Sequence, residues 1–207
     1  MKPKRLFDYE NPQSDPHEID ASNINPYLVD APDVLLTSRT KPISSDAPTI
    51  GIGNKPIDGG YLLLSRAERD DLISAQPEVA PYIRRWYGAT EFLNSLERYC
   101  LWLGDASPAT IRAMPKVVAI LDNVRRYRLG EIDAKSGRKA KAGESSVAIA
   151  ATPSRFHVEN IPTSDYLLIP RHSSESRAFL PMGFMTSESL SGDANLISAE
   201  ATRYHFG

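Results

Sequence analysis

The chain has 207 residues, of which 41% are hydrophobic and 24% charged, and its formal net charge is -2. This composition is typical of a folded globular protein and excludes a disordered or fibrous chain. No apolar run approaches the roughly 18 residues of a membrane helix. The single cysteine, Cys100, excludes a disulfide framework and a cysteine-rich zinc site. The N-terminus lacks an apolar signal segment, so we expect a cytoplasmic protein.

The N-terminal part of the chain is poor in helix signals. Residues 1–22 are rich in proline and acids, and we expect an extended leader before a domain that spans residues 23–207. Strand-like runs follow at Pro32–Ser38, Thr49–Gly53 and Tyr61–Leu64. The last two flank an Asp58-Gly59-Gly60 turn and are predicted to pair as a hairpin.

Helices are predicted in the middle of the chain. Ser65 and Glu68 have the spacing of a capping box, so a helix should follow Ser65 and run to about Ala75. Further helices are predicted at Glu78–Tyr87, at Glu91–Ser95 and from Ser107, with a break at Pro115. In the helix after Pro115 one face is apolar, and three arginines are predicted on the other side: Arg125, Arg126 and Arg128.

The other elements are predicted to be mostly strands. A buried strand is expected at Arg98–Leu103, and the Lys/Ala/Gly/Ser-rich segment Ile132–Ser146 is predicted to be a mobile loop. Later strands are predicted at Val147–Thr152, Tyr166–Pro170, Ala178–Met185, Leu196–Ser198 and Thr202–Phe206. The pattern predicts an α+β fold, with a mixed β region buttressed by several helices. Because no capping or turn signal precedes Gly207, we expect a piece of a larger protein.

Charge is unevenly distributed along the chain. Nine basic and three acidic residues lie between Ala109 and Gly143, whereas the remainder has 15 basic and 23 acidic residues. A basic block in an acidic protein is typical of a face that binds a polyanion. A solvated helix face leading into a flexible lysine-rich loop is an equally good interpretation.

Several motifs that suggest catalysis are incomplete. Asn25-Pro26-Tyr27 is similar to the amine-binding motif of amino-methyltransferases but lacks its second proline, so a structural role is favoured. The glycines at 51, 53, 59 and 60 lack the spacing of a nucleotide-binding loop. The four histidines are scattered, which predicts no metal site. Asp30 and Asp33 are a candidate carboxylate pair, but acids near prolines are more typical of turns.

The segment after Pro170 carries many hydrogen-bonding side chains. If its backbone is extended, Glu175 and Arg177 project from the same face. Arginine can contact guanine N7 and O6 while glutamate accepts from cytosine N4, so the pair fits a C·G base pair in the major groove. The alternative is a surface ion pair, which physical reasoning alone favours.

Seven segments, in order, resemble the target-recognition domains of MmeI-like DNA adenine methyltransferases, the type IIG and IIL restriction-modification enzymes. They are Asn23–Ile43, Gly53–Ser65, Arg84–Ala106, Met114–Leu129, Ala151–Phe156, Ser164–Met185 and Tyr204–Gly207. The resemblance implies that the domain reads double-stranded DNA in the major groove. It also implies an S-adenosylmethionine-dependent N6-adenine methyltransferase domain upstream in the same polypeptide, and in many members an endonuclease, with no cofactor and no catalytic residue in this chain.

The resemblance also assigns roles to residues. Glu175 and Arg177 look like the principal base-reading pair, with a second reading position at Ser154 and Arg155, and Ser173 is a further candidate. The residues expected to contact DNA phosphates are Arg125, Arg126, Arg128, Lys135, Arg138, Lys139, Lys141 and Arg171. Two alternatives stay open: a stand-alone nucleotide hydrolase that uses Asp30, Asp33 and the glycine-rich turn, and a protein-interaction module with exposed apolar patches.

Overall fold

The fold was determined as a computed structural model that describes residues 4–35, 37, 38, 40, 49–131, 133, 135–174 and 176–198. The chain forms two compact units, Met1–Asp46 and Ala47–Gly207.

The first unit begins with an antiparallel β-hairpin. Strands β1 (Lys4–Asp8) and β2 (His17–Ala21) pair so that Lys4 lies opposite Ala21 and Asp8 opposite His17. The segment expected to be an extended leader therefore contains paired strands. The strand predicted at Pro32–Ser38 is not observed at the described residues of that range.

The second unit contains two four-stranded sheets. The first sheet has the order β3-β10-β7-β8, and all its pairs are antiparallel. Its strands are β3 (Gly51–Ile52), β7 (Tyr166–Pro170), β8 (Gly183–Met185) and β10 (Ala194–Ser198). The second sheet has the order β4-β6-β5-β9, in which β5 and β9 are parallel. Its strands are β4 (Leu63–Leu64), β5 (Ile83–Tyr87), β6 (Tyr99–Leu101) and β9 (Ser189–Ser191).

Five helices accompany the sheets in the described part of the second unit. They are α1 (Arg66–Ala75), α2 (Ala89–Asn94), α3 (Pro108–Arg112), α4 (Pro115–Arg128) and α5 (Glu144–Ala148). The capping box at the start of α1 is present, because the Ser65 hydroxyl accepts from the Glu68 amide and the Glu68 carboxylate accepts from the Ser65 amide. The predicted α+β class, with a mixed β region and several helices, is confirmed.

The predicted hairpin between β3 and β4 is wrong. Strand β3 pairs with β10 and β4 pairs with β6, so each strand finds a partner far away in the sequence. The Gly53 amide donates to the Ala194 carbonyl at 2.8 Å, and the Asn54 amide donates to the Ser191 carbonyl at 2.7 Å. The chain therefore passes from one sheet to the other at Gly53 and Asn54.

Two other predicted elements have a different secondary structure. The helix expected at Glu78–Tyr87 is a 3-10 turn, Pro77–Tyr82, followed by β5. Pro81 lacks the N–H group that an α-helix needs for its hydrogen bonds. The β-branched and aromatic residues after it favour a strand, in which Trp86 is buried. The strand expected at Val147–Thr152 is the end of α5 and a turn. The strand expected at Thr202–Phe206 lies outside the described residues.

The main hydrophobic core lies between the second sheet and the helices. It is formed by β4–β6, α1, α4 and the aromatic residue Phe156. The Phe156 ring packs against Trp102 with a centroid distance of 4.9 Å and against Trp86 at 6.2 Å. Among the described residues, no helix has the length and apolarity that a bilayer crossing requires.

Candidate nucleic-acid interface

The segment after β7 is an exposed surface of polar side chains. The described residues from Arg171 to Arg177 are all exposed. Arg171 Nη1 lies 3.1 Å from Asp193 Oδ1, which connects the start of this segment to the turn between β9 and β10. The Arg177 side chain forms no hydrogen bond or ion pair with another described residue, so its guanidinium is available to a ligand.

The backbone of this segment turns where an extended strand was assumed. The Arg177 amide donates to the Ser174 carbonyl at 3.1 Å, and the hydroxyls of Ser174 and Ser176 are 2.7 Å apart. Such short-range contacts are typical of a turn. The extended geometry used to place Glu175 and Arg177 on one face is therefore not observed at the neighbouring residues. Glu175 itself lies outside the described residues.

A cleft of about 660 Å³ lies beside this segment. Ser173 and Arg177 line one part of it, and Trp86, Gly88 and Arg98 of the second sheet and its flanks line another. The cleft also includes Lys55 and Pro56, which follow the junction of the two sheets. The predicted reading segment and a basic residue from a distant part of the chain thus border the same concave surface.

The segment Ile149–Phe156, which holds the second predicted reading position, is firmly anchored. Phe156 is buried in the core, and the Arg155 guanidinium stacks 5.5 Å from the centroid of Trp102. Arg155 also donates to the Gly104 carbonyl at 3.2 Å and forms an ion pair with Glu159. Ser154 is half-buried and its hydroxyl forms no hydrogen bond with another described residue. Of the two predicted reading residues here, Ser154 has the freer side chain.

Arg128 does not have the exposed position that its predicted phosphate contact needs. The residue is completely buried. Its guanidinium donates hydrogen bonds to five backbone carbonyls, those of Pro56, Ile57, Ile149, Thr152 and Arg155, at 2.7–3.0 Å. Burial lowers the pKa of the guanidinium, and the nearby Asp58 carboxylate opposes this shift. The prediction that Arg128 contacts DNA phosphates is therefore wrong.

The other residues predicted to contact phosphates differ in whether their side chains already have an acidic or carbonyl partner. Arg125 is exposed on α4, whereas Arg126 pairs with Glu131 at 2.9 Å, which raises the arginine pKa. Lys135 donates to the Gly60 carbonyl at 2.7 Å and lies 3.9 Å from a Glu68 carboxylate oxygen. Three further cations are exposed and form no ion pair with another described residue: Arg138, Lys139 and Lys141.

The segment predicted to be a mobile loop contains a compact turn and the start of α5. The Asp133 carboxylate accepts from the Ser136 hydroxyl at 2.5 Å and from the Tyr61 hydroxyl at 2.5 Å. These two hydrogen bonds, the first the stronger, lower the pKa of Asp133 to about 2. The Asp133 amide also donates to the Arg138 carbonyl at 2.9 Å, so the exposed cations are held on an ordered turn. Ile132 and Ala134 lie outside the described residues.

The candidate catalytic carboxylates in the first unit have structural partners. Asp30 Oδ1 accepts from the amides of Ser22 and Asn23 and from the Ser22 hydroxyl, and these bonds lower its pKa. Asp33 accepts from the Asn23 side chain at 2.9 Å. Asn25 Oδ1 accepts from the amide of Tyr27, which is typical of a turn. No cluster of three metal-ligating side chains occurs among the residues described.

The charge pattern gave a wrong position for Arg128. A signal for its burial is present in the sequence. Val117, Leu121, Val124 and Arg128 are spaced by four, three and four residues, which is the spacing of one helix face. The apolar stripe of α4 therefore continues onto Arg128. The partners of Arg155 and Arg171 have no comparable signal, because Trp102 and Asp193 are distant in sequence.

The chain is similar to known proteins over most of its length. A DNA methyltransferase A from Bacillus subtilis (strain 168) is 34% identical over 186 residues, which are 90% of this chain and 20% of that protein. A solved structure of the type IIL restriction-modification enzyme MmeI in complex with DNA is 37% identical, with a TM-score of 0.84. That match covers 96% of this chain and 25% of that chain. The chain thus spans about a fifth to a quarter of the length of these relatives.

The family comparison covers the same region. Residues 30–207 match the family described as MmeI, target recognition domain. The match includes all eight strands of the two sheets, helices α1–α5 and both segments predicted to read bases. The chain therefore belongs to the family of MmeI target recognition domains.

Proposed function

We propose that this chain recognises a specific sequence of double-stranded DNA for an N6-adenine methyltransferase of the restriction-modification type. The observation that carries the proposal is the exposure of the described polar residues between Arg171 and Arg177, which border a cleft in a fold that closely matches a DNA-bound enzyme. Major-groove edges of base pairs are read by side chains of this kind, and arginine prefers guanine. Arg177 and Ser173 are exposed and line this cleft, which supports them as base-reading residues.

Base reading requires that other contacts fix the domain on the duplex. Phosphate contacts from cations position a protein without carrying sequence information. In this chain Arg125, Arg138, Lys139 and Lys141 are exposed and unpaired among the described residues. Arg126, Lys135 and Arg171 each have an acidic partner and would have to exchange it for a phosphate.

The methylation step belongs, in this proposal, to another domain of the same polypeptide. Relatives are four to five times longer than the matched region, which leaves room for such a domain. S-adenosylmethionine would supply the methyl group there. Gly53 packs against the backbone of Gly192 and Gly59 against the ring of Tyr127, so these two glycines do not form an open nucleotide-binding loop. The exposed side chains of Phe179 and Leu180 are candidates for contact with the larger protein.

The test is a base-by-base specificity profile of the protein that contains this chain. Its methylation of a plasmid library, with every base pair of the recognised site varied singly, should fall strongly for at least one change at each read position. Arg177→Ala should remove about 1–3 kcal/mol of discrimination at one base pair and leave the others unchanged. Arg112→Ala, which removes an exposed arginine outside the predicted reading segments, is the control. Equal methylation of all sequences by the unsubstituted protein would refute the proposed function.

A further inference from the structure

Arg128 is a buried cation without an ion-pair partner among the described residues. Taking a guanidinium out of water is costly unless its hydrogen bonds are replaced. Here all five of its N–H groups have acceptors: Nε donates to Ile57, Nη1 to Ile149 and Thr152, and Nη2 to Pro56 and Arg155. Arginine is the side chain with five donors in a planar fork, so this arrangement cannot be reproduced by lysine.

The five carbonyls belong to two separate segments of the chain. Pro56 and Ile57 lie just after the junction of the sheets, and Pro56 lines the cleft beside the reading segment. Ile149, Thr152 and Arg155 belong to the turn that carries Ser154. The guanidinium therefore connects one wall of the cleft to the second predicted reading position, while its own helix, α4, is anchored in the core.

Arg128 adds to the contacts that hold both segments in their conformation. Ile57 has a φ of +49°, a left-handed conformation that a β-branched residue adopts only when its surroundings impose it. Within the 149–155 turn, the backbone amides of Ala150, Thr152 and Arg155 each donate to the carbonyl three residues earlier in the described chain. The Arg128 guanidinium donates hydrogen bonds to the carbonyl of Ile57 and to three carbonyls of the turn. It therefore helps to hold both segments in place.

We propose that Arg128 is a positioning residue for base recognition. It holds the 149–155 turn so that the Ser154 side chain has a fixed position and orientation relative to the base pair that it reads. This inference rests on the proposed DNA-recognition function. Arg128 itself touches no DNA, because it is completely buried. Discrimination at the base pair read from this turn should then depend on Arg128 as strongly as on Ser154.

The experiment compares three substitutions in the whole protein that contains this chain. The probe is the library of duplexes in which each base pair of the recognised site is varied singly. Ser154→Ala identifies the base pair that the 149–155 turn reads, and Arg177→Ala identifies the pair read from the 171–177 segment. Arg128→Lys keeps the charge but offers three donors without the planar fork.

The expected result is specific to position. Arg128→Lys should lower discrimination roughly tenfold at the pair that Ser154→Ala affects, the size of one good base contact, and should leave the pair affected by Arg177→Ala unchanged. Arg112→Lys, the same exchange at an exposed arginine of α3 outside both reading segments, should change neither pair. A purely structural role would instead lower the amount of active protein and reduce activity on every sequence by the same factor.

Every other result would refute either the positioning role of Arg128 or the proposed DNA-recognition function. If Arg128→Lys leaves all discrimination intact, or lowers activity uniformly, or if Ser154→Ala affects no base pair, the positioning role is wrong. If circular dichroism shows that the lysine variant unfolds, Arg128→Gln, which places a neutral amide in the same site, is measured instead. Loss of folding in both variants would make Arg128 a residue of the general core and would refute the proposal. Absence of discrimination in the unsubstituted protein would refute the proposed function itself.

Discussion

Gly53 occupies a point of close backbone contact where the two sheets join. A Cβ atom at this residue would lie 1.7 Å from the carbonyl oxygen of Gly192. No side chain can rotate away to relieve this overlap, because both groups belong to the backbone. Gly53→Ala should therefore lower the free energy of unfolding by about 3 kcal/mol or more. Urea denaturation of the chain, followed by the fluorescence of Trp86 and Trp102, measures this change.

Gly143→Ala is the matched control for this substitution. An added Cβ at Gly143 has no neighbour within 4 Å, and Gly143 precedes α5 with a φ of -88°. Only the modest preference of helix N-caps for glycine over alanine is lost, so the cost should stay below about 1 kcal/mol. Equal effects of the two alanines would contradict the close contact at the sheet junction.

The individual residues of the site differ in how far the sequence predicts them. Exposure of Ser173 and Arg177 follows from a run of polar residues after an apolar strand, a local signal that the structure bears out. The burial of Arg128 is also encoded locally, in the spacing of the apolar face of α4, but its positive charge outweighed that spacing in the prediction. The anchoring of Arg155 on Trp102 depends on a contact across 53 positions and has no local signal.

At the scale of elements, the turn around Asp133 holds the basic segment in place. Hydrogen bonds from the hydroxyls of Ser136 and Tyr61 lower the pKa of Asp133 to about 2, from an ordinary value of 3.8. A carboxyl whose pKa is lower in the folded protein stabilises the fold above its unfolded pKa, and this contribution disappears as the pH falls through the folded pKa. Asp133→Asn should therefore lower the melting temperature at pH 7, and the difference from the unsubstituted chain should shrink between about pH 4 and pH 2.

The control for the Asp133 experiment is a carboxylate without such bonds. Asp71 is exposed on α1 and its side chain forms no hydrogen bond with another described residue. Asp71→Asn should leave the melting temperature nearly unchanged over the same pH range. A constant difference between the Asp133 variant and the unsubstituted chain from pH 7 to pH 2 would contradict the role of the ionised carboxylate.

Elements with signals inside their own sequence were predicted best. Helix α1 is specified by its capping box and α3 by a serine followed by proline, and both begin where these signals place them. Strand pairing was predicted poorly, because β3 and β4 flank a glycine-rich turn yet pair with β10 and β6. The partner of a strand is decided by burial of its side chains in a sheet, which a local turn signal does not report.

The whole molecule carries a surplus of acids, but its exposed cations are concentrated. The segment between Ala109 and Gly143 contains nine basic and three acidic residues. The structure separates the nine by burial and by ion pairing. Arg128 is buried, Arg126 and Lys135 have acidic partners, and the others are exposed, including Arg138, Lys139 and Lys141 on the turn around Asp133. The exposed group is the part of the basic block that can replace counterions on a nucleic acid.

This division predicts how salt acts on DNA binding. Simultaneous change of Arg138, Lys139 and Lys141 to glutamine should weaken binding of the whole protein to specific and non-specific duplexes by similar factors. Each lost phosphate contact should reduce the slope of log K against log salt by about 0.9, because one fewer counterion is released. The measurement is a salt titration of binding by fluorescence anisotropy. A triple variant of cations that already have acidic partners is the control: Arg5, Arg66 and Arg84.

The two triple variants change the net charge by the same amount. Comparing them therefore distinguishes the loss of direct phosphate contacts from the effect of the protein's net charge. If the control reduces the slope as much as the first variant, binding responds to net charge and the turn around Asp133 has no special part in it. If the first variant weakens only the recognised sequence, these cations read bases and do not position the duplex. The expected result, a smaller slope in the first variant alone on both kinds of DNA, would assign the turn to the phosphate backbone. Base selection would then belong to the segments at residues 149–155 and 171–177.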